Sequence, residues 1–411
     1  MEVLPAKILN NLTIAGNSQF RANGLDLYLG GNFTNNNTSG LPGISNGGFI
    51  PGSESQTLRF NGSNKQLVSG IGTNLPNFAN LTVNSLDTVA LQSNTAIRVD
   101  ADLTLESGVL ADGSNTILVT GNIINTASHS SSTGNGGIEL GGTEVQNISG
   151  IGGSFGNIIL NNPSGAILQD NITLNGKLTF SSGSIYIDDY LLTFGLQSEI
   201  NGTPGAGSMI ILNGALSDQG VRKLFPAGAA DFTMPIGVPG KYTPASFSIT
   251  QNALPGSITV YPVDRRHPAV VDPAPTELNF YWSVDSTGFG IPFSVDQTYS
   301  YLEEDVQPNS TSDATYVVGH YLNDNYDWSD LGDAGSPGSV NEGLRTITIT
   351  GGNFVTGDYT AGEPDNFTPP LDIFYSRNDP PSNEWTDPAA WSTDSHAGPA
   401  ATYAPIGNPI I

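Results

Sequence analysis

Asn80-Leu81-Thr82-Val83 and, a little over twenty positions on, Leu103-Thr104-Leu105-Glu106-Ser107-Gly108 decide the fold of this chain. Both phrases return in the same order, at nearly the same separation, as Asn157-Ile158-Ile159-Leu160 and Leu178-Thr179-Phe180-Ser181-Ser182-Gly183. In Leu103-Thr104-Leu105 the outer residues point one way and Thr104 the other, the two-residue period of a strand with one buried face. A step of roughly 20 residues, holding two or three such strands with Gly and Asn at the corners, is the length of one coil of a parallel β-helix. Glycine and asparagine tolerate the left-handed backbone that tight corners need.

Working outward, Gln66-Leu67-Val68-Ser69-Gly70-Ile71-Gly72 is echoed by Gln146-Asn147-Ile148-Ser149-Gly150-Ile151-Gly152, and Gly31-Asn32-Phe33 by Gly121-Asn122-Ile123. Four matched phrases in one order establish an internal repeat. The competing reading is an antiparallel sandwich of regular hairpins. It is disfavoured because Asn-Gly turn signals are not regularly placed between the strand phrases. From about Ser208 the repeat vanishes, and aromatic and proline residues rise. Phe232-Thr233-Met234-Pro235, Tyr242-Thr243-Pro244, Leu278 to Val284 and Leu344 to Thr350 mark strands at regular short intervals with turn signals between them. The expectation is an all-β chain: a parallel β-helix over 1–207, an immunoglobulin-like β-sandwich over 208–362 with Trp282 in its core, and a linker with the start of a following module over 363–411.

Composition narrows the function. The net charge is −25, from 38 acidic and 13 basic residues. Nucleic acid is excluded as a partner, because binding it needs clustered Lys and Arg. There is no cysteine and there are only four histidines, which removes thiol chemistry and makes a zinc cluster a poor expectation. No apolar run reaches the ~20 residues that span a bilayer, so direct membrane insertion is not expected. Met1 to Lys7 does not read as a secretory signal, and export signals are expected outside this segment.

The last residues add a resemblance. Tyr375-Ser376, Trp385, Asp387-Pro388 and Trp391-Ser392 resemble the start of repeat modules in giant surface proteins of Bacteroidetes. Phe232 to Pro244, the Tyr281-Trp282 strand and Gly351-Gly352-Asn353-Phe354 through Gly362 resemble the domain that follows in those proteins. The resemblance implies a secreted or cell-surface location, export by the type IX system, and a role as an adhesin, including gliding-motility adhesins. It implies a non-enzymatic segment of a longer array, because the chain opens at Asn11-Leu12-Thr13-Ile14 without the Trp-rich start. The partners expected are surface glycans or neighbouring modules of the same chain.

Against that background, Asp324, Asp327, Asp330 and Asp333 concentrate carboxylates in one segment and are the candidate calcium ligands, calcium being the one cofactor the sequence suggests. Their spacing is not that of an EF-hand, and a solvated acidic loop is the plainer reading. The runs Asp188-Asp189 and Glu303-Glu304-Asp305 are weaker versions of the same signal. A polysaccharide-degrading or carbohydrate-binding β-helix is the alternative function. It would need paired carboxylates or a calcium cluster beside a cation, and Asp87, Asp100, Asp102 and Glu106 are the nearest crowd. Arg265-Arg266-His267, the only basic cluster, reads as a surface loop sooner than as a salt-bridging site for a neighbouring domain. Trp328, Trp385 and Trp391 read as packing residues sooner than sugar platforms.

Overall fold

A computed structural model describes residues 4–37, 48–70, 76–132, 134–270, 276–306, 312–322, 327–330, 337–367, 375–377, 387–392 and 400. Short strands follow one another around three faces of a parallel β-solenoid of about nine turns. The first face runs through Leu27–Leu29, Thr57–Phe60, the start of Asn80–Leu91 and of Leu103–Ala111, then Ile123–Asn125, Gln146–Ser149 and Ala166–Leu168. The second face carries Leu12–Ile14, Phe33–Asn35, Gln66–Gly70 and, further on, Ile172–Leu174 and Leu192–Phe194. The third carries Ile97–Val99, Thr116–Val119, Gly137–Leu140, Ile158–Asn161, Lys177–Ser182 and Glu199–Gly202.

The step read from sequence is the register. Leu81 pairs with Leu103, and Ile158 with Leu178, each the next coil's residue on the same face. Leu103 and Leu105 are fully buried and Thr104 is half-exposed. Like residues therefore stack from coil to coil. Near the beginning the stack is aromatic, with the Phe33 ring 5.8 Å from Phe49 and 5.3 Å from Phe78. Each such side chain contributes about 1.5–3 kcal/mol by leaving water.

The internal repeat is out of phase with the helix. Asn80–Leu91 begins on the first face, whereas its echo Ile158–Asn161 lies on the third. Gln66 lies on the second face and Gln146 on the first. The sequence unit thus covers one strand fewer than a whole number of turns, and its second copy is rotated back by one face. The hydrogen bonds are nevertheless reproduced. Gln66 Oε1 accepts from the Gly62 amide (2.8 Å) while Nε2 donates to Leu29 O and Gly31 O. Gln146 does the same with Gly142, Val119 and Gly121. Asn80 Nδ2 donates to Glu54 O and Gln56 O and its Oδ1 accepts from Asp102 N; Asn157 repeats this with Gly134, Gly136 and Lys177. These side chains bond only to their own corner and the coil before or after, so the pattern is indifferent to which face carries it.

Gly108 and Gly183 show why the repeated glycine is needed. Their φ values are +79° and +83°, and a Cβ would lie 2.3 Å from Asp87 O and 1.8 Å from Asn162 O respectively. Because both glutamines bond three corresponding backbone groups, Gln66→Leu and Gln146→Leu are each expected to cost about 2–3 kcal/mol by orphaning them, although Gln146 also accepts from Asn162 Nδ2. Urea denaturation of the two single variants checks this. A loss confined to one of them would show that the copies are not equivalent.

At its far end the solenoid passes into antiparallel structure without a break. Val221–Phe225 pairs in parallel with Leu192–Phe194 on one edge and antiparallel with Gly256–Val263 on the other. That sheet continues through Tyr281–Thr287, Gly357–Gly362, Val317–Leu322 and Asp327–Asp330. A second, fully antiparallel sheet has the order Ala230–Met234, Ala245–Asn252, Phe293–Ser300, Thr346–Gly352, Gly338–Asn341. Aromatic rings join the two: Trp282 is fully buried, with its ring 5.3 Å from Tyr299, which lies 5.0 Å from Tyr359.

Candidate functional site

Of the candidate calcium ligands, Asp324 and Asp333 lie outside the described residues. Asp327 and Asp330 are placed by backbone alone, opposite Leu322 and Gly319 at a sheet edge. Among the described residues no group of three or more His, Asp or Glu side chains is arranged to hold a metal ion.

The other acidic residues are dispersed into separate bonds. Asp100 is paired with Arg98, Glu106 with Arg59, and Asp102 Oδ1 accepts the Asn122 amide at a corner (2.7 Å). Asp87 accepts from the Thr88 amide. Asp189 accepts from Asn213, and Asp305 is buried against the Lys241 ammonium at 2.7 Å. Burial raises the Asp305 pKa against the pull of Lys241.

The basic cluster is tied down and is not a free loop. His267 is buried, its Nε2 3.0 Å from Asp358 Oδ2, with the ring packed on Tyr281, Tyr321 and Trp328. Its Nδ1 accepts the Ala269 amide, which leaves Nε2 as the donor to Asp358. Arg266 pairs with the buried Glu277. The sequence concealed this because Asp358 is 91 residues away. Trp328 is a packing residue, its indole N–H donating to Ala269 O at 3.2 Å. Trp391 is half-buried and Trp385 lies outside the described residues.

The feature that sequence reading missed lies at the junction of the two architectures. Val221-Arg222-Lys223-Leu224-Phe225 alternates so that Lys223 falls on the buried side. Its Nζ donates to Gly195 O (2.6 Å), Ser198 O (3.1 Å) and Leu196 O (3.2 Å), and sits 4.8 Å from the Phe232 ring centre. One ammonium thus ties the corner between Leu192–Phe194 and Glu199–Gly202 to the first strand of the second sheet. Burial draws its pKa down to about 8, with Glu199 opposing. Lys223→Met removes the donor from three carbonyls, and although it also removes a desolvated charge, we expect a net loss of about 2–3 kcal/mol, read from urea denaturation. A variant as stable as the parent would mean the carbonyls find other donors.

Ser198 and Phe232, which contact this lysine, also line a cavity of about 450 Å³ together with Glu199, Asp231, Thr233 and Tyr242. A groove of about 270 Å³ on the third face is lined by Asn135, Ile159, Lys177, Thr179 and Asn201 among others, and its Lys177 pairs with Glu199 of the cavity. Strand Glu199–Gly202 contributes to both. Compared with family models, curated proteins and solved structures, the chain finds no match in any of the three.

Proposed function

We propose that this chain is a structural and adhesive segment of a large secreted bacterial surface protein, in which the solenoid is a stiff spacer and the C-terminal half an immunoglobulin-like sandwich. The observation that carries the reading is the shared strand Val221–Phe225. It is bonded in parallel to the solenoid on one edge and antiparallel to the following sheet on the other, so load passes through backbone hydrogen bonds with no linker between them. Coils that bond only to their neighbours resist bending, and nine of them at ~4.8 Å extend about 43 Å. Net charge of −25 keeps such a rod soluble and separated from its neighbours. The role is non-catalytic, a reading supported by Asp87, Asp100, Asp102 and Glu106 each being engaged in a separate bond. Type IX export, a gliding-type adhesin parent and calcium at Asp324 to Asp333 belong to this reading through the resemblance of its motifs.

Small-angle scattering of the purified chain tests it. We expect an elongated particle whose maximum dimension is unchanged by chelator. A compact or bent ensemble would show that the junction is a hinge, and the spacer reading would fall.

A further inference from the structure

We propose that the junction cavity and the groove beside it form one continuous subsite for a neutral oligosaccharide of about two or three pyranose rings. The inference rests on the adhesive reading above and gives it a location and a ligand class. The cavity volume lies within the range of small-ligand sites, roughly 300–1,000 Å³. The groove extends it over neighbouring rungs of the third face, since Ile159, Thr179 and Asn201 are successive register partners. At ~4.8 Å per rung this adds about 10 Å, so the ligand is elongated.

The lining suits sugars. Half-buried Tyr242 and Pro204 offer ring and C–H surface for stacking against a pyranose face, while buried Phe232, packed on Lys223 and Phe194, forms the floor beneath them. Glu199, Asp231 and Thr233 offer oxygens to ring hydroxyls, while Asn135, Thr179 and Asn201 offer amides and a hydroxyl along the groove. All stand on paired strands or their turns, so little order is gained on binding and little entropy is lost.

The charge balance chooses among sugars. The two cations nearby are committed, Lys223 to three carbonyls and Lys177 to Glu199 at 3.5 Å. Asp231 accepts the Ser248 hydroxyl at 2.6 Å and has no cation among the ion pairs of the described residues. An anionic glycan would meet two carboxylates without a free cation, so uronates and sulfated sugars are disfavoured. A cationic peptide suits the charge but not the ring-and-hydroxyl lining.

The test is titration of the full chain, followed by NMR or calorimetry, with three neutral hexasaccharide series (glucan, mannan and N-acetylglucosamine), an oligogalacturonate and a Lys-rich peptide. One neutral series should bind with a dissociation constant on the order of 1 mM or tighter. Asp231→Ala and Tyr242→Leu should each weaken it tenfold or more, and Thr34→Ala on the second face should leave it unchanged. Asp231→Ala decides the matter if Tyr242→Leu unfolds. Absence of neutral-sugar binding, preference for the galacturonate or the peptide, or binding indifferent to Asp231→Ala would overturn the proposal. Scattering on the same samples separates the failures: a rod that binds no sugar removes this inference alone, whereas a collapsed particle removes the spacer reading beneath it.

Discussion

Trp282→Ala is expected to remove about 4 kcal/mol from the antiparallel part of the chain while leaving most of the solenoid folded. The indole is fully buried, with its ring 5.0 Å from Phe280 and 5.3 Å from Tyr299, and its N–H donates to Thr243 O at 3.2 Å. Truncation of a buried tryptophan costs about 3–5 kcal/mol through lost contacts and the cavity left behind, and the abandoned carbonyl adds to it. The damage should stay local because each coil packs chiefly on its neighbours, and a stacked array loses stability rung by rung. All four tryptophans lie after residue 280, so their fluorescence reports the C-terminal half, whereas far-ultraviolet circular dichroism reports both. In urea, the fluorescence transition of Trp282→Ala should move to lower concentration and separate from the main dichroism transition. Coincident transitions, both shifted, would show that Val221–Phe225 couples the halves into one cooperative unit, and the local account would be wrong.

That same strand marks the limit of what the sequence discloses. Leu103-Thr104-Leu105 announces a strand with one buried face, and its likeness to Leu81-Thr82-Val83 one coil earlier announces the stacking. Period and alternation are local properties, so residues a few places apart are enough to read them. The rotation of the repeat by one face is a different matter. The phrases around Gln66 and Gln146 carry no label for the face they occupy, because their bonds depend on the adjoining coil and not on the position around the axis. A count of strands between the copies would reveal the offset, but the shortest strands, such as Asn77–Phe78 and Ser154–Phe155, give too little alternation to count.

The junction was hidden for a related reason. Glu199 and Asp231 fall on either side of the boundary expected near residue 208, where the texture of the sequence changes, and only the fold brings them to one cavity. Lys223 did leave a trace, a cation at an inward position of an alternating strand. Such a residue needs an explanation whenever it occurs, since an unpaired ammonium is too costly to bury. His267 left none, because its carboxylate partner lies on a strand 91 residues further on.

Alkaline solution should unfold the antiparallel half, and the buried tyrosines are the cause. Tyr299 is fully buried, with its hydroxyl donating to Gln297 Oε1 at 2.8 Å, and burial holds its pKa well above 10. Burial raises Tyr301 in the same direction, and the Asp313 carboxylate that accepts its hydroxyl at 2.6 Å raises it further against the pull of Arg345. Tyr359, whose hydroxyl donates to Val355 O at 2.8 Å, is raised by burial as well. In each case the folded pKa exceeds the unfolded value of about 10, so the folded state holds the proton more tightly. The stabilisation is complete below about pH 10 and is lost as pH climbs from there toward the folded values, at about 1.4 kcal/mol per pH unit for each group. Three such groups in one core compound the loss. Tyrosinate absorbance in the near ultraviolet, followed together with circular dichroism, checks this. Tyr299, Tyr301 and Tyr359 should ionise only in step with the loss of structure, at higher pH. Tyr359→Phe removes one group that drives the transition, so its alkaline midpoint should rise. Ionisation of all the tyrosines near pH 10 with the dichroism intact would mean that these hydroxyls reach water in the folded protein, and the packing that joins the two sheets through Tyr299 and Tyr359 would have to be looser than their 5.0 Å ring separation implies.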